Sequence, residues 1–387
     1  MSNRNLSFIP GPIEFSNEVL KEMSTPSQTH TSPEFTAVFQ EALKNTRKLF
    51  QSSDPDTQGF VISGSGTLGW DLTGANLLNH GERVLVISTG FFSDQFGNCL
   101  KLYAGANNVD VLEAEHFGAQ VKNSIIEETL RKARYEGKPY ALITITQTDT
   151  SSGVLSDVET ISTIVKKICP DTLIVVDAVC ATACENLEFD NWGIDYVLTA
   201  SQKAIGVPAG LSISFASSRA IKKALAKEHP IGFFTDLKRW LPIMQSYEKG
   251  KPLYFATPAV QLIHAYNESL KEILAYSVSG YVAAHKVASD KFKNKIYKLG
   301  LKTVPEFEIS AHGLSVIYYP NGVQGTDLLS KVQEKGFVIA SGIYKDYKDK
   351  YFRVGHMGIS AVGKRKHELD ECFDAIKSAL EDLGYKS

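Results

Sequence analysis

The sequence predicts an α/β fold: a large domain with a doubly wound, mostly parallel seven-stranded sheet, followed by a smaller C-terminal α+β domain. Two observations predict this fold. Between residues 59 and 216, near-continuous runs of Val, Ile and Leu alternate with amphipathic stretches, which is typical of parallel strands buried between layers of helices. After about residue 259 that alternation stops, and two long helical patterns lead into shorter apolar runs.

The length of 387 residues is sufficient for two domains. We predict an N-terminal arm at 1–20, a large domain at 21–258 and a small domain at 259–387. The arm contains the run FIPGPIEFS, whose prolines and glycine favour an extended strap over a helix.

Seven apolar runs are predicted to form the sheet of the large domain. They span 60–63, 83–88, 109–113, 140–146, 172–177, 195–200 and 211–216. Helical patterns lie between the earlier runs, at 67–79, 93–104, 123–136 and 156–168. Too few residues separate the last two strands to form a helix, so one of them is predicted to be antiparallel.

The small domain is predicted to mix helices and strands. Helical patterns span 259–276, 280–299 and 325–335, with a final helix from about 361. Strands are predicted within GLSVIYY, GFVIA and YFRVGHMG.

The composition is that of an ordinary globular protein, with 43% hydrophobic and 22% charged residues and a net charge of −2. No excess of positive charge indicates a nucleic acid or an anionic membrane as partner. The longest apolar run is interrupted by Asp177 and is too short to span a bilayer. Because no signal peptide, transit peptide or peroxisomal tripeptide is evident, we expect a cytoplasmic location, with a mitochondrial fraction left open.

The five cysteines are scattered and odd in number, as expected of reduced thiols. Cys180 and Cys184 are four residues apart, but no second Cys or His pair lies near them at zinc spacing. The sequence therefore predicts no metal site.

A glycine-rich turn follows the first predicted strand of the sheet. Backbone N–H groups at the start of a helix favour a phosphate. Gly64, Gly66 and Gly69 satisfy the dinucleotide pattern G-x-G-x-x-G, but the next strand ends at Ser88 and Thr89, without the acid that would hold a ribose. The turn therefore suits a phosphate better than a nicotinamide dinucleotide, and a packing turn without a ligand stays open.

Asp177 stands at the C-terminal end of the apolar run TLIVVD. In doubly wound sheets, ligands bind at that end of the strands. A buried carboxylate needs a partner, and a protonated heterocyclic nitrogen is a suitable one. A helix cap or a structural hydrogen bond to the backbone is the alternative interpretation of Asp177.

Lys203 lies on a loop of small residues between two predicted strands. An amine in a partly desolvated site can react with an aldehyde. A phosphate turn, an acid at a strand end and a loop lysine are the three anchors that pyridoxal 5′-phosphate requires, for its phosphate, its ring nitrogen and its aldehyde. The sequence therefore predicts pyridoxal 5′-phosphate as cofactor, although a lone loop lysine is usually solvated and inert.

Arg353 lies in the run YFRVGHMG, on a predicted strand of the small domain. A guanidinium among apolar residues needs a carboxylate, and a substrate carboxylate held by two parallel hydrogen bonds would serve. An internal salt bridge is the alternative.

Along nearly its whole length, the chain resembles the class V aminotransferases of fold type I, and among them the alanine–glyoxylate and serine–pyruvate enzymes. The runs LTASQKAIG and HTSPEF are most similar to the fungal alanine–glyoxylate enzymes. The motifs that carry the family resemblance are PGP (10–12), SGSGT (63–67), DTSSGVLSD (149–157), VVDAV (175–179), SQKA (201–204), YFATP (254–258) and FRVGHMG (352–358).

The resemblance implies a role for each matched residue. Lys203 would bind the cofactor covalently and move the substrate's Cα proton, while Asp177 would pair with the ring nitrogen. Val179 would pack on the ring, and Thr150 would bind its phenolic oxygen. The implied phosphate ligands are Ser65, Gly66, Thr67 and Gln202, joined by Tyr254 and Thr257 from the neighbouring subunit of a homodimer with composite sites.

The resemblance also implies that Arg353 clamps the substrate carboxylate, aided by the backbone near Gly11. Two positions depart from the mammalian pattern. Thr67 replaces a histidine, which puts its phosphate contact in doubt. Phe92, favoured over Phe91, replaces the tryptophan that stacks on the ring, so the indole N–H is absent.

The predicted activity is transfer of the amino group of L-alanine to glyoxylate, giving pyruvate and glycine, which makes glycine and removes glyoxylate. A serine–pyruvate or serine–glyoxylate aminotransferase and a cysteine desulfurase would use the same cofactor. The only cysteine after Lys203 is Cys372, in a predicted C-terminal helix, which disfavours the desulfurase. A nicotinamide-dependent oxidoreductase using the Gly64–Gly69 turn and a non-catalytic binding protein are less favoured hypotheses of different classes.

Overall fold

The computed structural model describes residues 4–386, so the first three residues of the predicted arm and residue 387 lie outside it. The strands of the described part are mostly short, and those of the central sheet have five or six residues each. In chain order they are β1 (Leu6–Ser7), β2 (Gln58–Ser63), β3 (Val84–Ser88), β4 (Val109–Glu113), β5 (Leu142–Thr146), β6 (Thr148–Asp149), β7 (Val154–Leu155), β8 (Leu173–Asp177), β9 (Tyr196–Ala200), β10 (Leu211–Ala216), β11 (Leu314–Tyr318), β12 (Phe337–Val338), β13 (Ala340–Ser341) and β14 (Tyr351–Gly355).

Several helices begin where a polar side chain satisfies a free N–H group of the first turn. Ser32, for example, accepts a hydrogen bond from Phe35 N at 3.1 Å, and Pro33 occupies the first helical position. The helices are α1 (Asn17–Met23), α2 (Pro33–Leu49), α3 (Gly66–Leu77), α4 (Phe91–Ala104), α5 (Asn123–Tyr135), α6 (Val158–Ile168), α7 (Phe189–Trp192), α8 (Ser218–Ala226), α9 (Leu237–Glu248), α10 (Val260–Ala275), α11 (Val278–Lys298), α12 (Gly325–Glu334) and α13 (His367–Asp382).

The predicted seven-stranded sheet is confirmed within residues 4–386, with the strand order β2-β10-β9-β8-β5-β3-β4. Strand β10 is antiparallel to both of its neighbours, whereas the pairs among β9, β8, β5, β3 and β4 are all parallel. The antiparallel member predicted among the last two strands is therefore β10. Every residue of β3, β5, β8, β9 and β10 is buried, which explains their uninterrupted apolar runs.

The carboxyl ends of three central strands meet at one level of the sheet. Asp177, the last residue of β8, lies beside Thr146 of β5 and Leu198 of β9. The loops that leave these strands therefore converge at one edge, which is where an open parallel sheet binds its ligands.

The small domain contains the three-stranded sheet β11-β14-β13, and a second hydrophobic core that includes Phe292, Ile317 and Phe352. Helix α10 packs instead on α1 and α2, and its Tyr266 belongs to the larger core. The domain boundary at 258/259 stays a prediction.

The N-terminal arm returns to the far end of the chain. Its strand β1 pairs in parallel with β12, with Leu6 opposite Phe337. Phe8 is buried in the second core, and Gly355 N donates to Phe8 O at 2.6 Å. The arm then passes the carboxyl edge of the central sheet. No helix in the described part of the chain is both long enough and apolar enough to cross a bilayer.

Candidate active site

A cavity of about 140 Å³ lies at the carboxyl edge of the central sheet. It is enclosed by the start of α3, the start of α4 and the loops after β5, β8 and β9. Most of the predicted site residues form its wall. The lining residues are Ser65, Gly66, Thr67, Trp70, Phe92, Thr146, Thr148, Thr150, Asp177, Val179, Cys180, Gln202 and Lys203.

The start of α3 forms the predicted phosphate turn. Ser65 caps the helix with an extended backbone and no side-chain cap hydrogen bond, and Ser65 and Thr67 are both exposed. A Cβ atom on Gly66 would lie 2.9 Å from Val179 Cγ2, so only glycine fits there. The hydroxyl groups and the free N–H groups of this first turn are available to an anion.

Two buried side-chain oxygens in the cavity wall have no hydrogen-bond partner among residues 4–386. They are Gln202 Oε1 and Thr148 Oγ1. Buried polar atoms in folded proteins are almost always paired, because an unpaired one loses its hydration without compensation. Both atoms therefore indicate that the cavity is built to hold a polar ligand.

Asp177 is 4% exposed and receives two hydrogen bonds. Val179 N donates to Oδ1 at 3.0 Å, and Trp70 Nε1 donates to Oδ2 at 2.7 Å. Burial raises the pKa of the Asp177 carboxyl to about 6, and the two hydrogen bonds oppose that rise. The carboxylate is thus held at a cost that a cationic ligand group would offset.

Lys203 is half-buried beside the N-terminal arm. Its Nζ donates a hydrogen bond to Pro10 O. A Cβ atom on Gly11, which has φ +93°, would lie 2.9 Å from Lys203 Nζ. The arm therefore fixes the position of the amine, and Gly11 leaves it room. Gly11 itself does not line the cavity.

Phe92 lines the cavity, and the neighbouring Phe91 does not. The start of α4 that carries Phe92 is held by the buried carboxylate of Asp149, which accepts hydrogen bonds from Ser93 N at 3.0 Å and Ser151 Oγ at 2.6 Å. Ser151 Oγ in turn accepts a hydrogen bond from Phe91 N at 2.7 Å. Asp149 therefore ties the aromatic wall to the loop that carries Thr150.

Arg353 is 8% exposed and lies behind the cavity wall rather than in its lining. Its Nε donates to Ser341 O at 2.8 Å, and its Nη1 donates to Thr150 O at 3.3 Å. Burial lowers the pKa of the guanidinium from its ordinary value. No carboxylate of residues 4–386 lies within 4.0 Å of Arg353, so the internal salt bridge that sequence reasoning left open is absent from the described part.

The structure does not bring Tyr254 and Thr257 to this cavity. Both are exposed, Tyr254 to 61%, and the Tyr254 ring lies against the His30 ring with centroids 5.1 Å apart and planes at 33°. Their predicted contact with a phosphate would require the cavity of a second subunit.

Sequence reasoning missed the lining residues Trp70, Thr146, Thr148 and Cys180, and also Asp149, which lies outside the lining. Asp149 belongs to the family motif DTSSGVLSD, but its burial gives no signal in the sequence. Trp70 follows Gly66 by four residues, one turn later on the same helix face. From that spacing, the sequence could have predicted that the Trp70 side chain faces the same cavity as Gly66.

The chain is similar to proteins of one family along most of its length. Residues 14–344 match the model of the family described as Aminotransferase class-V. The chain is 45% identical, over 96% of its length and 97% of the relative, to alanine–glyoxylate aminotransferase 1 of Saccharomyces cerevisiae.

More distant relatives extend the comparison. A serine–glyoxylate aminotransferase of Arabidopsis thaliana is 25% identical, over 99% of this chain and 92% of the relative. The crystal structure of an alanine–glyoxylate aminotransferase from Nostoc sp. superposes with a TM-score of 0.87 at 24% identity, covering 97% of this chain and 95% of that one. The similarity to the Nostoc structure shows that the two proteins share a fold.

Proposed function

The chain belongs to the class V aminotransferases, and from that premise we propose that it uses pyridoxal 5′-phosphate to transfer the amino group of L-alanine to glyoxylate, giving pyruvate and glycine. The observation that carries the proposal is that Asp177, Lys203 and the start of α3 face a single cavity. The name of the yeast relative supports the choice of substrates.

The lining of the cavity supports this cofactor, because it offers partners for the phosphate and for the ring nitrogen. Ser65, Gly66, Thr67 and Gln202 would hold the phosphate, and the unpartnered Gln202 side chain supports this role. Asp177 would hold the ring nitrogen. When bound, pyridoxal 5′-phosphate supplies an electron sink that allows the Cα–H bond of an amino acid to break.

The walls of the cavity would fix the plane of the cofactor ring. Phe92 would stack on one face and Val179 would pack on the other, and the Thr150 hydroxyl would bind the phenolic oxygen. The hydrogen bonds of Asp149 to the start of α4 keep Phe92 in place without requiring the ligand.

Lys203 is the residue that we assign to proton transfer. Its Nζ takes the proton from the substrate Cα in the first half-reaction and returns one in the second. The Pro10 carbonyl accepts a hydrogen bond from this amine, so the arm orients its lone pair.

Arg353 is the residue that we assign to the substrate carboxylate. The guanidinium is buried, and only Nε and Nη1 have acceptors among the described residues. A carboxylate that accepts from the remaining N–H groups would satisfy it. Lys203 is the only cationic side chain that lines the described cavity, so a donor with a second carboxylate, such as aspartate, should be poorly accepted.

We also propose that the protein is a homodimer with composite sites. Tyr254 and Thr257 lie on the surface, on the segment whose Phe255 packs against the exposed Phe233 with ring centroids 5.4 Å apart. An exposed apolar patch of this kind supports a protein–protein contact. Sedimentation should give a dimer of 42.5 kDa subunits, and a monomer that is fully active would contradict composite sites.

The five cysteines are all free, which supports the proposal of a reducing compartment such as the cytoplasm. Imaging of a fluorescent fusion would test the location.

Borohydride reduction tests the central proposal. Reduced, cofactor-loaded protein should carry a pyridoxyl adduct on the peptide containing Lys203, and Lys203→Ala should lose both the adduct and the pyruvate formed from L-alanine and glyoxylate. L-Serine and L-aspartate are assayed in parallel as donors. Wild-type protein that takes up the cofactor without an adduct at Lys203 would overturn the assignment.

A further inference from the structure

The proposed transfer reaction assigns no role to Trp70. Its indole Nε1 nevertheless donates a hydrogen bond to Asp177 Oδ2, with the two atoms 2.7 Å apart. We propose that Trp70 is a positioning residue that keeps Asp177 ionised and turned toward the ring nitrogen of the cofactor. The inference rests on the proposed function, because it assigns how one residue of that site is prepared for its ligand.

Both hydrogen bonds to the Asp177 carboxylate come from N–H groups that can donate a hydrogen bond but cannot accept one. The indole Nε1 and the backbone N of Val179 are donors without a lone pair, and each faces a different carboxylate oxygen. A proton added to either oxygen must therefore avoid the donor that already faces it. The arrangement favours the carboxylate over the carboxylic acid.

No ion pair supports Asp177 within residues 4–386, so these two donors carry the stabilisation of the buried charge until a ligand binds. The titratable groups around Asp177 are Asp149, Lys203 and Cys180. The nearby Asp149 disfavours the negative charge of Asp177, and Lys203 favours it. Burial already raises the pKa of Asp177 to about 6 with both donors in place, and removal of one donor should raise it further.

The position of Trp70 also connects the two ends of the cofactor site. Trp70 lies one turn after Gly66 on α3, so one helix presents both the phosphate turn and the donor to Asp177. The indole stacks on Phe96 of α4, with centroids 5.6 Å apart and planes at 14°. Phe96 in turn lies one turn after Phe92. Trp70 therefore holds the phosphate turn, Asp177 and the start of α4 in a fixed relation.

Trp70→Phe is the decisive variant because it keeps an aromatic ring beside Phe96 and removes only the N–H donor. A hydrogen bond to a charged group contributes about 1.5–3 kcal/mol, and its loss disfavours the ionised form of Asp177 by that amount. At a pH where Asp177 is ionised in the wild type and protonated in the variant, apo Trp70→Phe should therefore bind pyridoxal 5′-phosphate about ten- to a hundredfold more weakly. Trp192→Phe, which changes a tryptophan outside the cavity wall, is the matched control and should bind like the wild type.

A nuclear magnetic resonance titration gives a readout that does not depend on activity. The chain has three tryptophans, and Trp70→Phe identifies the indole N–H signal of Trp70 by removing it. In the apo wild type, that signal should shift with pH around a midpoint near 6 as Asp177 ionises. The signals of Trp192 and Trp240 should not follow this transition.

The outcomes separate the inference from the proposed function. Wild-type protein that takes up no cofactor contradicts the proposed function. Wild type and Trp70→Phe that bind the cofactor equally well, or a Trp70 signal whose transition lies above pH 7, overturn the role of Trp70 alone.

Trp70→His keeps an N–H donor and decides the question if Trp70→Phe does not fold. Cofactor affinity retained within about tenfold of the wild type supports the hydrogen bond. A larger loss in a folded Trp70→His overturns it, because the ring rather than the donor would then be what matters.

Discussion

At the scale of single residues, the site consists of charged groups that are left incompletely paired. Arg353 and Asp177 are both buried, and among residues 4–386 no carboxylate lies within 4.0 Å of Arg353 and no cationic side chain lies within 4.0 Å of Asp177. Buried charges without a partner are unfavourable, and the carboxylate of the proposed substrate and the ring nitrogen of the proposed cofactor would each supply the missing charge. Ligand binding should therefore stabilise the folded protein.

Arg353→Lys tests the clamp. The variant keeps the charge but loses the planar fork, so we expect kcat/KM for both L-alanine and glyoxylate to fall by about ten- to a thousandfold. Cofactor affinity should change little, because Arg353 does not line the cavity. Steady-state kinetics with each substrate varied, together with a cofactor titration, measures both. Unchanged specificity constants would contradict the assignment.

Sequence reasoning can place a side chain where its position follows from its own strand or turn. Asp177 and the Gly66 turn are of this kind, because each directly follows or ends a strand of the central sheet, and both line the cavity. Trp70 and Asp149 depend on contacts between elements distant in sequence, such as the pairing of Trp70 with residue 177. A single sequence does not contain that information.

At the scale of elements, the segment 342–350 joins the small domain to the large one. Tyr344 stacks on Phe117 with centroids 5.1 Å apart and planes at 12°, and Tyr347 approaches the same ring to 4.6 Å. Lys345 pairs with Asp94 of α4 at 3.0 Å. The segment precedes β14, which carries Arg353, so these contacts determine how the guanidinium is placed against the cavity.

Phe117→Ala should weaken the contact between the segment 342–350 and the large domain. An aromatic pair contributes about 0.5–1.5 kcal/mol, so we expect KM for L-alanine to rise by about two- to tenfold while cofactor affinity stays unchanged. Tyr135→Ala, at a tyrosine 93% exposed on the surface, is the matched control. A rise in the cofactor dissociation constant with no change in KM would contradict this role.

The boundaries of two elements in the C-terminal part of the chain differ from the prediction. The run GFVIA was predicted as one strand, but β12 pairs with β1 whereas β13 pairs with β14, so the run divides between two sheets. The final helix was predicted from about 361 and begins at His367. Gly363, at φ +101°, interrupts the helical backbone before it.

At the scale of the whole molecule, the order of the strands in the sheet was beyond sequence reasoning, although their number and the presence of one antiparallel strand among the last two were predicted. Strand β10 lies between β9 and β2, the earliest strand of the sheet. That pairing joins residues 58–63 to 211–216, a long-range contact that no local pattern encodes.

The junction between the two hydrophobic cores contains buried neutral histidines. His285 Nδ1 donates to Tyr281 O at 2.9 Å, and its Nε2 accepts from Gly358 N at 3.0 Å. Burial lowers the pKa of His285 to about 4 and that of His356 well below its ordinary value. Both rings must gain charge when the protein unfolds in mild acid.

This burial predicts acid lability. Between pH 6.5 and 4 the unfolded His285 binds a proton and the folded one does not, so the free energy of unfolding falls as pH falls. Relative to His285→Gln, the wild type should lose about 1.4 kcal/mol per pH unit in this range. Urea unfolding of both proteins at several pH values measures the difference. A difference that is independent of pH would contradict the neutral buried ring.

The path of the N-terminal arm has a consequence for biosynthesis. Pro10 O and Gly11 contact Lys203, yet the arm is anchored by β12, near the other end of the chain. At about 5–20 residues per second, a ribosome takes tens of seconds to proceed from Leu6 to Phe337. During translation the central sheet can form first, and Lys203 acquires this neighbour only after β12 has been synthesised. A nascent chain that stops before β12 should therefore leave the Lys203 amine without the arm beside it.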